Sequence, residues 1–425
     1  MTTEKRYFVG IDWGSQTHEV CVVDETGTVA ARWSVQHTGE DIRKFVEKLM
    51  ELAGGKAERV AAGMETPHGA ILEVLLERGV AIHAINPKQL DRFRDRHSVA
   101  GAKDDRRDAY VLADALRTDT AKFRRIQAAA PDMLKLRELG RAYENLTTDF
   151  HVQANRLRQL VIRFFPQVLE VAKADEPLCW SLLDLVPTPA QVRGVKTKEV
   201  DEILRKHRIR RISAEEVLVQ LRKEPLPVAP GVAEAAKEHV ELIIPQLRVA
   251  HAQMQSCHRR IEELVERLGS TPPDDKNSDG GGNAQHSDVK VVDSMKGAGA
   301  LFVAALFGEA YALVQARDLA TVRAQAGIAP VTQQSGKTRM VQMRKACNRR
   351  LRTALFHLAA VNIQYDARSR ALYDDARSRG QTRGRALRAV GDRLLRILFS
   401  MLRNNTTYIL EPLTAGVLEP EGSGQ

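Results

Sequence analysis

Residues 6–15, RYFVGIDWGS, place a short apolar run directly before an aspartate. The run over residues 7–11 is too short for a helix and rich in β-forming residues, so it predicts a central strand. Asp12 ends this strand, and Trp13-Gly14-Ser15 turns the chain away. A carboxylate at the end of a central strand lies at the rim of a sheet, where it is well placed to bind a cation. The function therefore depends on which other carboxylates meet Asp12.

The segments around this strand predict an α/β domain over residues 1–125. Asn86-Pro87 is interpreted as a stop after the fifth strand. The other expected elements are, in chain order, strands at 19–23 and 28–35, a helix at 42–50, a strand at 60–64, a helix at 71–76, a strand at 80–85 and a helix at 103–117.

The middle of the chain, residues 126–269, is expected to be a helical region. Apolar residues recur by threes and fours over 133–164 and again over 240–268, where the 3-4 alternation spans four heptads. This periodicity predicts two long helices with a coiled-coil seam, which would form an arm for dimerisation. Prolines at 187–189 and 225–230 delimit a smaller helical insert between the two.

The remainder divides by composition. Residues 270–288 contain almost no apolar side chain before Val289 and predict a flexible linker. Residues 289–408 are expected to form a compact, mostly α-helical domain, and 409–425 a loose tail.

Positive charge is concentrated near the C-terminus. The formal net charge of the chain is +10, and residues 336–403 carry 17 Lys and Arg against 4 Asp. Such a basic block favours a polyanionic partner, nucleic acid before membrane. A solvated arginine-rich face is the plainer alternative.

The compartment is expected to be the cytoplasm. No stretch approaches 18 uncharged apolar residues, and the N-terminus does not resemble a signal peptide. The four cysteines are scattered without a C-x-x-C pair, which predicts reduced thiols and no zinc site.

Four carboxylates form a candidate metal site. Asp12 and Glu65 each follow an apolar strand, and Asp105 and Asp108 lie at i and i+3 on one face of the helix expected at 103–117. Carboxylates that converge repel one another unless a cation neutralises them, and Mg²⁺ prefers oxygen ligands. The alternatives are a helix-dipole role for Asp104 and Asp105 and a turn role for Asp12.

The order β-β-β-α-β-α-β-α, with the motifs GIDWGS, GMETPHG and AKDDRRDA, resembles the ribonuclease-H-like, RuvC-like domain of the DEDD transposases of the IS110 family, to which the Piv-type invertases are related. The resemblance implies that Asp12, Glu65, Asp105 and Asp108 are the catalytic carboxylates. The family more often has a small polar residue where this chain has Asp104. Spacing leaves Asp104 open as the third carboxylate, and the family pattern favours Asp105.

Nucleotide-binding interpretations fit less well. GIDWGS also resembles the first phosphate-binding hairpin of actin-like and sugar-kinase ATPases, but the only later Asp-Gly-Gly is at 279–281, with no strand before it. Gly336-Lys337-Thr338 resembles the end of a P-loop, yet Val331 stands where that motif requires glycine.

The C-terminal domain contains two further family-like motifs. Lys296-Gly297-Ala298-Gly299 leads into an apolar helix and resembles a helix-hairpin-helix turn that exposes backbone N–H groups to a phosphate. Residues 327–339 resemble the G-[LI]-x-P…S-G-[GK] stretch in which the family places a nucleophilic serine, which implies Ser335. The runner-up hydroxyl is Thr332, and a serine that only caps a turn is the plainer alternative.

A serine hydroxyl requires activation, and no histidine lies near Ser335 in sequence. The carboxylate site is therefore the expected activator, in a composite site to which different protomers can contribute. The candidate nucleic-acid-binding residues are Lys296, Gly297, Gly299, Lys337, Arg339, Lys345, Arg349, Arg350 and Arg352, with Arg383, Arg385, Arg388, Arg393 and Arg396 on a later helix.

The sequence is accordingly interpreted as that of a Mg²⁺-dependent, prokaryotic DNA transposase that excises and inserts a mobile element in the nucleoid. The resemblance further implies guidance by a structured non-coding bridge RNA and assembly as a homodimer or a tetramer of two dimers. The alternatives are a RuvC-like endonuclease that uses metal-activated water and a nuclease-inactive protein that only binds nucleic acid.

Overall fold

The computed structural model describes residues 6–65, 69–97, 104–127, 130–229, 231–270, 282–336 and 338–408. The chain divides into two compact units, Met1–Ala129 and Ala130–Gln425. Most of the expected linker (271–281), Lys337 and the whole expected tail (409–425) lie outside the described residues. Within the described ranges, no helix combines the length and apolar composition that a membrane span requires.

The first unit is built on a six-stranded mixed sheet with the strand order β3-β2-β1-β4-β5-β6. β1 pairs antiparallel with β2 and parallel with β4, so it is a central strand, as the opening motif predicts. The architecture agrees with the predicted ribonuclease-H-like α/β fold. The strands are β1 Tyr7–Asp12, β2 Thr17–Asp24, β3 Val29–Gln36, β4 Val60–Met64, β5 Ala81–Ala84 and β6 Arg124–Ile126.

Among the described residues, four α-helices accompany this sheet, at Gly39–Leu52 (α1), Ala70–Glu77 (α2), Pro87–His97 (α3) and Asp105–Asp119 (α4). Helix α3 was not expected, because Asn86-Pro87 was interpreted only as a stop. Pro87 instead opens the helix, a position where proline has no N–H to lose and its φ already suits the helix. Short 3-10 turns at Ala57–Arg59 and Thr120–Lys122 complete the unit.

Two paired glycines let α4 approach the sheet. Gly10 of β1 lies opposite Gly63 of β4 in the parallel ladder. A Cβ added at Gly10 would lie 1.9 Å from the carbonyl oxygen of Ala109, so only glycine permits this contact. The close approach brings the first turn of α4 to the edge of the sheet where β1 ends.

In its described residues, the second unit is helical apart from one hairpin. Its helices are α5 Pro131–Ile162, α6 Gln167–Val171, α7 Pro177–Leu185, α8 Thr197–Lys206, α9 Ala214–Leu221, α10 Val232–Ser270, α11 Gly282–Asp293, α12 Ala300–Gln315, α13 Leu319–Gln325, α14 Arg349–Tyr365, α15 Ala367–Ser378 and α16 Arg383–Asn404. The hairpin consists of β7 Val331–Ser335 and β8 Thr338–Gln342.

The two long helices, α5 and α10, pack against each other in antiparallel orientation. Arg267 at the end of α10 donates to Asp132 at the start of α5 over 2.7 Å, whereas the ring of His251 lies 5.7 Å from that of Phe150. The expected pair of long helices is therefore present within one chain. The coiled-coil arm and the joining of two protomers through it stay predictions.

The segment between α5 and α10 folds into a helical insert with its own buried core. Phe164, Phe165 and Trp180 are at most 2% exposed, and the indole N–H of Trp180 donates to the carbonyl of Ala174 over 2.7 Å. In the C-terminal part, Leu351, Leu355 and Leu358 are buried on α14.

Candidate active site

The four predicted carboxylates line one pocket of the first unit. Its volume is about 190 Å³. The lining residues are Asp12, Trp13, Gly14, Thr17, Glu19, Glu65, Asp105 and Asp108. Residues far apart in sequence therefore meet at the edge of the sheet where β1 and β4 end.

The parallel pairing of β1 with β4 positions the first two carboxylates. Ile11 lies opposite Met64 in this ladder, so Asp12 and Glu65 leave adjacent strands at the same level. Asp105 and Asp108 belong to the first turn of α4. The carboxylates thus come from two strand ends and one helix, which the buried sheet holds in place.

Asp104 has a different position. It is the N-cap of α4, where its side chain accepts a hydrogen bond of 3.3 Å from the backbone N–H of Arg106. The pocket is lined by Asp105 and not by Asp104. This placement supports Asp105 as the third carboxylate.

Glu19 is a fifth carboxylate in the pocket that the sequence argument missed. It lies opposite Asp12 in the antiparallel ladder of β1 and β2. Its carboxylate accepts a hydrogen bond of 2.7 Å from the Ser34 hydroxyl and lies 3.6 Å from the guanidinium of Arg106. The sequence could have indicated Glu19, because a short turn after Asp12 brings a residue near position 19 beside Asp12.

Arg94, on the unexpected helix α3, contacts the carboxylates directly. Its Nε and Nη2 atoms each donate to one oxygen of Asp108 over 2.8 Å, and Nη2 lies 3.6 Å from Glu65. Nη1 donates to Asp91 over 2.5 Å. The hydrogen bonds to Asp108, followed by the neighbouring negative charges, raise the pKa of Arg94 despite partial burial.

The donor set fits a magnesium ion in its chemistry. Carboxylate oxygens are the ligands that Mg²⁺ prefers, and the pocket presents five of these groups. Across the ranges that the structure describes, no three His, Cys, Asp or Glu side chains are arranged as a ready metal cluster. A guanidinium instead lies against two of the four predicted ligands.

A buried histidine supports the turn that follows Asp12. His18 is fully buried, and its Nδ1 accepts a hydrogen bond of 3.3 Å from the backbone N–H of Gly14. Its Nε2 lies 2.9 Å from Nδ1 of His37. Burial, and then the neighbouring His37, lower the pKa of His18, so the neutral ring is favoured.

Ser335 lies in the second unit at the tip of the β7–β8 hairpin. It is exposed and lies opposite Thr338, and Gly336 in the turn between the strands has a φ of +55°. Thr332 is three residues away on the same strand, so its side chain faces the other side of the hairpin. A substrate on one face of the hairpin can therefore meet only one of the two candidate hydroxyls.

The G-x-G motif forms the turn between α11 and α12. Gly297 has a φ of +84°, and Gly299 is the N-cap of α12. The carbonyl of Lys296 accepts a hydrogen bond of 2.9 Å from the side-chain amide of Asn362. The ammonium of Lys296 lies 5.3 Å from the centre of the Tyr365 ring. Lys296 and both glycines are exposed.

The basic candidates near the hairpin are of two kinds. Arg339, Lys345 and Arg349 are exposed, whereas Arg350 is partly buried and forms an ion pair with Glu144 of α5. Arg352 is also partly buried and donates to the carbonyl of Arg344 over 2.5 Å. Lys337 lies outside the described residues. Arg350 and Arg352 thus have structural partners as well as positive charge.

The arginines of α16 separate in the same way. Arg393 pairs with Asp366 and Arg396 with Asp392. Arg388 instead lies near other arginines, and burial together with the charges of Arg352 and Arg385 lowers its pKa. Arg388 also donates to the sulfur of Met343, which follows β8, so positive charge from Arg388, Arg352 and Arg385 gathers beside the hairpin.

A mixed sheet with carboxylates at the ends of its central strands is consistent with a ribonuclease-H-like domain in the first unit. Two family models for transposases match the chain: the DEDD transposase model of the IS110 type matches residues 9–166, and the model described as the IS116/IS110/IS902 transposase family matches residues 289–374. Together they cover more than half of the sequence. The chain belongs to the IS110 family of transposases, which act on DNA.

Relatives agree with this assignment. The chain is 39% identical over 217 residues to y4uE, a candidate transposase of Sinorhizobium fredii, across 50% of this chain and 60% of that protein. It is 26% identical over 410 residues to the candidate transposase of the IS117 mini-circle of Streptomyces coelicolor, across 94% and 95% of the two chains. An IS110 insertion-element protein of the same organism is 25% identical across 96% of both.

Proposed function

We propose that this protein is a Mg²⁺-dependent transposase that excises and inserts a mobile DNA element through a carboxylate site and a serine nucleophile. Asp12, Glu65, Asp105 and Asp108 hold the metal, and Ser335 attacks the DNA backbone. The observation that carries the proposal is the convergence of these four carboxylates in one pocket, on the fold of a family of transposases.

The chain's own residues prepare the carboxylate site. β1 and β4 present Asp12 and Glu65 side by side, and the glycine pair lets α4 bring Asp105 and Asp108 to them. His18 fixes the turn after Asp12. When bound, Mg²⁺ supplies Lewis-acid stabilisation of the negative charge that develops on a reacting phosphodiester.

The exposed hydroxyl of Ser335 supports its role as nucleophile. In the proposed step the Ser335 O–H bond breaks, a bond forms between its oxygen and phosphorus, and one P–O bond of the DNA strand breaks. The departing DNA oxygen takes up a proton. Ser335 and the carboxylates belong to different compact units of the chain. On the family resemblance we propose a composite site, to which different protomers can contribute.

The basic surface binds nucleic acid in this proposal. The exposed residues Lys296, Arg339, Lys345 and Arg349 would contact phosphates of DNA and of a structured bridge RNA, and so would the poorly compensated Arg388. Guidance by RNA rests on the family resemblance. A dimer or a tetramer of two dimers, joined through the α5–α10 arm, completes the proposal, and the nucleoid is the expected location.

The test is a strand-cleavage and strand-exchange assay on DNA carrying the element ends, with the RNA transcribed beside the gene. We expect Asp12→Asn to abolish both activities, and EDTA to do the same to the wild type. Ser335→Ala should abolish both, whereas Thr332→Ala should retain them. Cleavage that survives Ser335→Ala would indicate an endonuclease that uses water. Failure of every variant and the wild type to cleave would indicate a protein that only binds.

A further inference from the structure

We propose that the guanidinium of Arg94 takes the place of a metal cation in the carboxylate pocket and competes with the divalent metal ion for Asp108. This inference rests on the proposed metal-binding function of the pocket. It assigns a role to a side chain outside the four carboxylates, on a helix that the sequence pattern does not predict.

The contact between Arg94 and Asp108 uses both oxygens of the carboxylate. Nε donates to one oxygen and Nη2 to the other, each over 2.8 Å, in the bidentate geometry that gives the strongest carboxylate pairs. The Asp108 side chain is 4% exposed and that of Arg94 is 24% exposed. A buried carboxylate requires a partner of this kind, because an unpaired charge is costly to bury.

The same guanidinium lies beside a second proposed metal ligand. Nη2 is 3.6 Å from the Glu65 carboxylate, and Nη1 anchors the group to Asp91 on its own helix. Arg94 therefore offsets the mutual repulsion of Glu65 and Asp108, as a bound metal would. Asp91 keeps the guanidinium in this position from outside the pocket.

A metal ion at Asp108 would meet the positive charge of Arg94. Two cations that share one carboxylate repel each other, and the repulsion is strong where water is largely excluded. Metal binding would therefore weaken or displace the Arg94–Asp108 pair. We infer that Arg94 lowers the metal affinity of the free protein while it stabilises the pocket in the absence of metal.

The chain provides a matched control on the same helix α4. Arg117 pairs with Asp114 over 2.6 Å, with side-chain exposures of 25% and 6% that closely match those of Arg94 and Asp108. Neither Arg117 nor Asp114 lines the pocket. A loss of thermal stability that reflects only a broken buried ion pair should be equal for substitutions of Arg94 and of Arg117.

The experiment measures Mn²⁺ binding to the full chain from the loss of the free-ion electron paramagnetic resonance signal. We expect Arg94→Gln to bind Mn²⁺ about tenfold more tightly than wild type, and Arg117→Gln to bind it as wild type does. In EDTA both substitutions should lower the melting temperature. Excess Mn²⁺ should restore the melting temperature of Arg94→Gln toward that of wild type. The melting temperature of Arg117→Gln should stay below that of wild type in excess Mn²⁺.

Unchanged or weaker Mn²⁺ binding by Arg94→Gln, with wild-type binding intact, would overturn the competition and leave the metal site standing. Wild-type binding that is absent, or that Asp12→Asn does not reduce, would overturn the metal site and this inference with it. Should Arg94→Gln fail to fold, Arg94→Lys serves instead, because it keeps one charge and loses the bidentate fork. We then expect tighter Mn²⁺ binding than in wild type, and equal or weaker binding contradicts the proposal.

Discussion

The carboxylate pocket lies among strands and a helix that are largely buried, whereas Ser335 lies on a hairpin whose described residues, apart from Val331, are exposed. Asp108 is 3% exposed and is held by two hydrogen bonds from Arg94. The hairpin presents Met340 and Val341, about half exposed, to solvent. A two-stranded hairpin with so little packing has marginal stability by itself. We therefore expect the fold to fix the proposed metal-binding half, and nucleic acid or a partner protomer to set the final position of the proposed serine half.

The sharpest test of this contrast compares two buried aspartates on α4. Asp108 lines the pocket and Asp114 does not, yet each is nearly buried and paired with an arginine. We expect Asp108→Asn to reduce DNA cleavage by about three orders of magnitude, a loss typical of essential active-site groups. Asp114→Asn should leave cleavage within about tenfold of wild type. Equal losses in a single-turnover cleavage assay would mean that α4 contributes stability and no chemistry.

A second test concerns the rigid half. Gly10→Ala places a methyl group 1.9 Å from the Ala109 carbonyl and forces α4 away from the sheet, so we expect a loss of about 3 kcal/mol in the free energy of unfolding. Gly39, at the start of α1, has open space around its Cβ position. Gly39→Ala is therefore the control and should change stability by less than about 1 kcal/mol. Urea unfolding checks both, and similar midpoints would refute the close-packing argument.

The histidine behind the pocket predicts a pH dependence. The pKa of His18 is lowered by burial and by His37, so the folded protein favours the neutral ring while the unfolded chain accepts a proton near pH 6.5. The stabilisation is therefore present above pH 6.5 and is lost as the pH falls below it. Urea midpoints at pH 7.5 and 5.5 should differ more for wild type than for His18→Gln. If the midpoint changes by the same amount in wild type and His18→Gln, His18 does not cause the pH dependence.

The smallest effect is expected on the hairpin. Val341 is 57% exposed, so Val341→Ser should change the free energy of unfolding by less than about 0.5 kcal/mol. If the hairpin is ordered by nucleic acid, the same substitution should weaken DNA–RNA binding measured by filter retention. A stability loss of several kcal/mol, with unchanged binding, would show that the hairpin is already packed in the free chain.

The pocket was largely predictable because local rules determine it. Short apolar runs that end in Asp12 and Glu65, and two aspartates at i and i+3, specify their positions through strand and helix periodicity. Arg94 was missed because residues 87–97 contain few apolar side chains beyond Leu90 and Phe93, and Pro87 was interpreted as a stop. Without helix α3 there was no means to bring this arginine to Asp108.

The hairpin was missed for a different reason. Residues 331–342 show no alternation of apolar and polar residues, because both of its faces are exposed and no core imposes a period of two. Only Gly336, which suits the positive φ of the turn, marked the reversal. Motif resemblance therefore selected Ser335, and the backbone explains why Thr332 faces the opposite side.

The central claim is that Ser335 attacks DNA with the help of the carboxylate pocket. The most direct measurement incubates the protein with Mg²⁺, labelled element-end DNA and the adjacent transcript, and then separates the products under denaturing conditions. We predict a protein–DNA covalent product for wild type and none for Ser335→Ala or Asp12→Asn. The same product formed by Ser335→Ala, with the link mapped to another residue, would contradict the account.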